Sequence, residues 1–167
     1  EKIKHVLDIH SNACLAIVGD GPYRSQLEHY FKGSNVVFTG YLHGEDLASA
    51  FASSDIFVFS STTETLGLVI IEAMASGLPI VAADSGPTRE QIRDGRTGIL
   101  YDSKTDGDFQ EKVLDLIRDE ERRVQIGKQA RLESNQLGWN KASEQLFNFY
   151  QQVLAIQQED SKKREVY

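Results

Sequence analysis

Two carboxylates in small or apolar surroundings are the first chemically informative residues of this 167-residue sequence. Glu64 stands among Ser60, Ser61, Thr62, Thr63 and Thr65, and Glu72 interrupts the apolar run from Leu68 to Ala75. Gly67 lies between them, and Gly77 with Pro79 forms a helix-stop signal. The pattern predicts a helix whose first turn lies near Gly67 and Leu68, with Glu64 just outside it. The first N–H groups of such a helix have no intrahelical partner and carry the positive end of its dipole. A glycine there lets an anion approach the backbone, so the segment is a candidate phosphate seat. Glu72, with apolar neighbours on both sides, is expected to be partly buried and to need donors or a cation. Two readings stay open at this level: an internal salt bridge, or a vicinal diol such as a ribose supplying two O–H donors.

The elements that must position these groups alternate along the chain. Apolar runs predict strands at 14–18, 35–38, 55–59, 78–83 and 99–101. Helical patterns fall at about 2–10, 23–32, 44–53, 67–77, 88–93, 106–117, 120–135 and 140–157. Leu27, Tyr30 and Phe31 are candidate core contacts. Strands alternating with helices at this spacing mean a parallel sheet covered on both faces. In such sheets ligands bind outside the carboxyl ends of the strands. The residues that follow the strands are Gly19-Asp20-Gly21, Gly40-Tyr41, Ser60 to Gly67, and Ser85-Gly86. All are small, polar or turn-forming, and all should share one rim.

Composition narrows the classes. Hydrophobic content of 40% and charged content of 26% are those of a soluble globular domain. A net charge of −7 argues against a nucleic-acid surface. Cys14 is the lone cysteine, so neither an intrachain disulfide nor a cysteine metal site is expected. No apolar run reaches transmembrane length. A cytoplasmic location fits, and a peripheral membrane contact stays open through the short Lys162-Lys163-Arg164 cluster. His5, His10, His29 and His43 lack metal-ligand spacing, and Trp139 with Leu146, Phe149 and Tyr150 reads as helix packing.

Several segments together resemble a known family. Ile17-Val-Gly-Asp-Gly-Pro22, Val37-Phe-Thr-Gly40, Asp55-Ile-Phe-Val58 with Ser61, Glu64 and Glu72 with seven residues between them, Glu72-Ala-Met-Ala-Ser-Gly-Leu-Pro79, and Asp94-Gly95 with Thr97-Gly98 occur in one order. The series resembles the C-terminal, donor-binding domain of the family 4 retaining glycosyltransferases, which have the two-domain GT-B fold. The wording is similar to sulfoquinovosyl-diacylglycerol synthases and related lipid-sugar transferases. Two departures stand out: Ser60 replaces the family's usual proline, and only Gly86 remains of a frequent glycine pair.

The resemblance implies roles. Glu72 would hold the ribose hydroxyls and Glu64 would contact the donor sugar as the catalytic-site carboxylate, while the backbone of Gly67 and Leu68 would bind phosphate beside Ser61. Gly19 and Gly21 would line the donor cleft, and Gly40, Tyr41 and Leu42 would lie by the base. Lys2 is a candidate for a family lysine on the diphosphate, although a solvated surface lysine is the plainer reading. The implied reaction moves a sugar from a UDP- or GDP-linked donor to an acceptor hydroxyl of a lipid or glycan, with retention. No cofactor and no metal are expected. A nucleotide-sugar-binding subunit that works with a separate acceptor-binding subunit, or a GT-B sugar-nucleotide epimerase, are the competing readings. A phosphorylase reading is weakened because no lysine lies between Lys32 and Lys104.

The expected fold is a Rossmann-like doubly wound α/β domain over residues 1–158, with a charged tail at 159–167. The N-terminal acceptor domain is expected to be absent, because the chain opens on Glu1 with a helical pattern. The five strands match the order 3-2-1-4-5-6 without its first strand, whose place lies between the strands at Leu15 and Phe57. The isolated chain is therefore expected to fold poorly and to be inactive.

Overall fold

The structure is a computed structural model that describes residues 2–164, without the side chains of Trp139 and of residues 158–164. The Trp139 reading, the Lys162-Lys163-Arg164 cluster and the 165–167 end of the expected tail lie outside the described residues or side chains. Five strands and eight helices alternate: α1 (Lys2–Ile9), β1 (Leu15–Val18), α2 (Arg24–Tyr30), β2 (Val36–Gly40), α3 (Gly44–Ala52), β3 (Phe57–Phe59), α4 (Leu68–Ala75), β4 (Ile80–Ala83), α5 (Gly86–Gln91), β5 (Ile99–Tyr101), α6 (Asp108–Arg118), α7 (Glu120–Ser134) and α8 (Trp139–Arg164). The last helix continues past residue 158, where the charged tail was expected to begin.

All strand pairs are parallel. β1 pairs with β2 from Leu15↔Val36 to Val18↔Gly40, and the order β3-β4-β5 runs through Phe57↔Ile80 and Val81↔Ile99. Among the described residues the strands form two sheets, with no ladder joining β1 to β3. That is the position at which the sequence leaves one strand of the doubly wound order unaccounted for.

The core sits on the three-stranded sheet. Side chains alternate across a pleated strand. On one face Val81, Ala83, Ile99 and Tyr101 pack with Val6 of α1, Phe109 and Val113 of α6, and Ile126 of α7. On the other, Ile80 and Ala82 pack with Ile70, Ala73 and Met74 of α4, Ile92, and Ala130 of α7. Four residues of β4 in succession are fully buried, as a central strand with two covered faces requires. Gly127 of α7 sets the closest helix approach: a Cβ there would stand 2.1 Å from the Gly77 carbonyl oxygen.

The first pair of strands departs from the expected burial on both faces. β1 and β2 each bury one side only in part, and Val18 and Val37 are 44% and 51% exposed. Of the expected contacts on α2 only Phe31 is buried, while Leu27 and Tyr30 are 38% and 40% exposed. With β1 lacking a neighbour on its free edge, no continuous sheet carries the α2 side into the main core. The expected packing of Leu146, Phe149 and Tyr150 is overturned too, since all three are more than half exposed on α8.

Candidate functional site

The carboxyl ends of the strands deliver their loops to one rim, and the head of α4 is its focus. Gly67 caps α4 at φ 55°, ψ 50°, a left-handed conformation that favours glycine. It is buried, and its carbonyl accepts from Ile70 N–H at 2.8 Å to close the first turn. No side chain caps the helix, so its leading N–H groups remain available to an anion. Glu64 is half-buried just before it, with Oε1 accepting from Thr65 N–H at 3.1 Å. A Cβ on Gly67 would lie 3.4 Å from Glu64 Cγ, which places the first carboxylate stem against the helix head. Ser61 is half-buried in the same loop.

Glu72 differs from expectation in its surroundings. It is exposed, and among the described residues nothing donates to its carboxylate and no cation pairs with it. The internal salt bridge is therefore not formed. The reason is helical geometry: α4 buries Ile70, Ala73 and Met74, which leaves Leu68 and Glu72, one turn apart, on the opposite side. Leu68 is 50% exposed there.

A second part of the rim closes the ends of β1 and β2. Gly19 N–H donates to the Gly40 carbonyl at 2.7 Å, and Tyr41 Oη donates to the Asp20 carbonyl at 3.2 Å. The exposed Tyr41 ring stacks on His43 at 6.4 Å between centroids. Gly21 is exposed, with its N–H on Asp20 Oδ1 at 2.7 Å, and Leu42 is half-buried.

Lys2 heads α1 and its Nζ donates to the Ser103 carbonyl at 3.2 Å, just past the end of β5. Its partner is thus a loop of the rim other than Ser60–Gly67.

Four cations were not legible as such in the sequence, and two of them, Arg24 and Arg89, lie on the rim. Arg24 lies between Asp20 and Glu28 at i,i±4 spacing, and Glu28 foremost raises its pKa, followed in part by Asp20. Its guanidinium also approaches the Gly40 backbone, where an added Cβ would stand 3.4 Å from Nη1. Arg89 pairs through two nitrogens with Asp84 at the end of β4 and holds that carboxyl below the usual aspartate range. Arg93 and Arg96 both meet Glu133 at 3.1 Å, which ties the turn before β5 to α7. The i,i+4 acid–base spacing was the available signal for Arg24; the other pairs needed the fold.

The sequence does contain one Asp-x-Asp spelling, Asp106-Gly107-Asp108, the usual metal clue in the other main glycosyltransferase fold, which the expectation of no metal leaves out of account. Here Gly107 heads α6, and Asp108 Oδ2 accepts from Asp102 N–H at 2.7 Å, so the pair starts a helix. Among the described residues no group of three metal-ligating side chains converges.

The rim at the carboxyl ends of the parallel strands, with Glu64 before the glycine-headed helix and Glu72 within it, is where open α/β sheets bind their ligands. Residues 1–133 match the family Glycosyl transferases group 1, and the chain belongs to that family. Over 151 residues it is 44% identical to a sulfoquinovosyl transferase of Arabidopsis thaliana, covering 89% of this chain and 30% of that protein. The fold is similar to sucrose-phosphate synthase from Thermosynechococcus elongatus, with a TM-score of 0.79 at 24% identity over 93% of this chain and 42% of the other. It is also similar to the Anabaena protein HepE, solved in complex with UDP and glucose, with a TM-score of 0.67 at 26% identity over 81% of this chain and 40% of the other. The fold is thus of the GT-B glycosyltransferase type. The chain spans less than half the length of each of these proteins, and no described helix is long and apolar enough to cross a membrane.

Proposed function

We propose that this chain is the donor-binding half of a retaining glycosyltransferase that moves a sugar from a UDP- or GDP-linked donor to an acceptor hydroxyl. The observation that carries the reading is the uncapped head of α4, with Glu64 before it and an unpaired, exposed Glu72 one turn inside it. The diphosphate sits on the N–H groups at Gly67 and Leu68. Glu72 takes the ribose hydroxyls, Glu64 orients the sugar, and Tyr41 with its neighbours borders the base. The HepE complex with UDP and glucose supports a nucleotide-sugar ligand for this fold.

The chemistry follows from charge. As the sugar–oxygen bond breaks, negative charge gathers on the departing diphosphate, and donors fixed at that place lower the barrier. Helix N–H groups and a lysine or arginine do this with no metal, which is the reading adopted here. Lys2 reaches this role by leaving the Ser103 carbonyl; a cation from chain upstream of residue 1 is the other source. The acceptor, a lipid or glycan, is assigned to sequence outside these residues.

The test is Glu64→Gln in the complete protein. Turnover should fall about 100-fold through lost orientation of the sugar, while affinity for UDP or GDP stays close to that of the parent. Equal losses in both would assign Glu64 to the nucleotide or the fold instead.

A further inference from the structure

The helix head that receives the diphosphate is braced from a neighbouring element. α5 is fixed to the end of β4 by Thr88, which is 1% exposed: its hydroxyl donates to the Ala83 carbonyl at 2.7 Å and accepts from Ser85 N–H at 2.9 Å. The Asp84–Arg89 pair spans the same turn. At the last residue of α5, the Gln91 side chain crosses to the other loop, where Nε2 donates to the Leu66 carbonyl. Gln91 also borders the glycine itself, since a Cβ on Gly67 would lie 3.7 Å from Nε2.

A peptide unit is planar and trans, so its carbonyl and the following N–H point in opposite directions. Holding the Leu66 carbonyl toward α5 therefore holds the Gly67 N–H away from α5. We propose that Gln91 is a positioning residue for the donor's diphosphate: its amide holds the Leu66–Gly67 peptide and thereby fixes the direction of the first N–H donors of α4. The assignment rests on reading that helix head as the diphosphate seat. Simple packing does not explain the choice of side chain, because Gln91 Oε1 is buried with no partner. A methionine of the same length would fill the space without an orphaned acceptor. What glutamine alone adds is the Nε2 donor.

The test uses the complete protein, with calorimetry against UDP and GDP and against the matching nucleosides, alongside thermal unfolding. Gln91→Met should weaken nucleoside diphosphate about tenfold, the worth of one directed hydrogen bond, and leave nucleoside affinity unchanged. Gln91→Glu, which sets an oxygen against the Leu66 carbonyl, should weaken it further. Gln91→Lys, which keeps a donor within reach, should restore most of the affinity. If Gln91→Met does not fold, the Glu and Lys variants still decide the matter by their difference. Unchanged diphosphate affinity in Gln91→Met, or equal loss of diphosphate and nucleoside, would overturn the positioning role. Parent protein that binds neither UDP nor GDP would instead overturn the donor-site reading, and this inference with it.

Discussion

The two sheets of this domain are built to different standards. Around β3, β4 and β5, helices cover both faces, and Ile80, Val81, Ala82 and Ala83 are fully buried. Around β1 and β2, Phe31 is the buried hydrophobic residue, and valines on both strands stand about half exposed. Yet both halves furnish the rim: the first sheet brings Gly19, Gly40 and Tyr41, and the second brings Glu64, Gly67 and Glu72. On the proposed placement of the donor, its phosphates are set on a finished core. Its base would rest on a strand pair with no ladder to β3 among the described residues, and a free strand edge ordinarily invites another strand.

Core truncation should separate the halves most clearly. Ile70→Ala, at a site 1% exposed, should cost about 3–4 kcal/mol, whereas Leu27→Ala, at 38% exposure, should cost about 1 kcal/mol or less. Chemical denaturation of the complete protein measures both, and equal losses would dissolve the contrast. Gly127→Ala should come next, at about 2–3 kcal/mol, because its new methyl meets the Gly77 carbonyl at a distance no real contact allows. A neutral Gly127→Ala would mean that α7 and α4 can part freely.

The finest test reads local opening. In residues 1–167, amides of β4 should exchange with solvent about 100-fold more slowly than those of β1, since opening free energy tracks buried contact. A longer protein that carries the upstream chain should narrow that ratio by pairing the edge of β1. Uniform protection in the isolated chain, with a sharp two-state transition, would show that no further strand is needed there.

Much of this architecture was legible in the sequence because the strands are short apolar runs bounded by turn residues. The five strands and the helices up to α7 fall within a few residues of their expected places, α8 runs past its expected end, and Gly67 heads the helix that its position before Leu68 implied. Burial was harder to read. Glu72 looked enclosed by its apolar neighbours, but adjacency along a helix is not adjacency in space, and the 3.6-residue period turns it away from Ile70 and Met74. Leu27 and the apolar residues of α8 have helical spacing, yet spacing does not say whether a surface is present to receive them. Gln91 carried no local signal, because its partner at Leu66 lies 25 positions upstream and meets it only through the fold.

The most direct test of the account is the affinity of the complete protein for UDP and GDP with and without the Glu72 carboxylate. Glu72 is exposed and unpaired, so replacing it by alanine should leave the fold intact and its thermal midpoint nearly unchanged. If it holds the ribose through two charge-assisted hydrogen bonds, Glu72→Ala should weaken nucleoside diphosphate by about 100-fold or more. Parent-like affinity in a folded Glu72→Ala protein would contradict the placement of the nucleotide on α4.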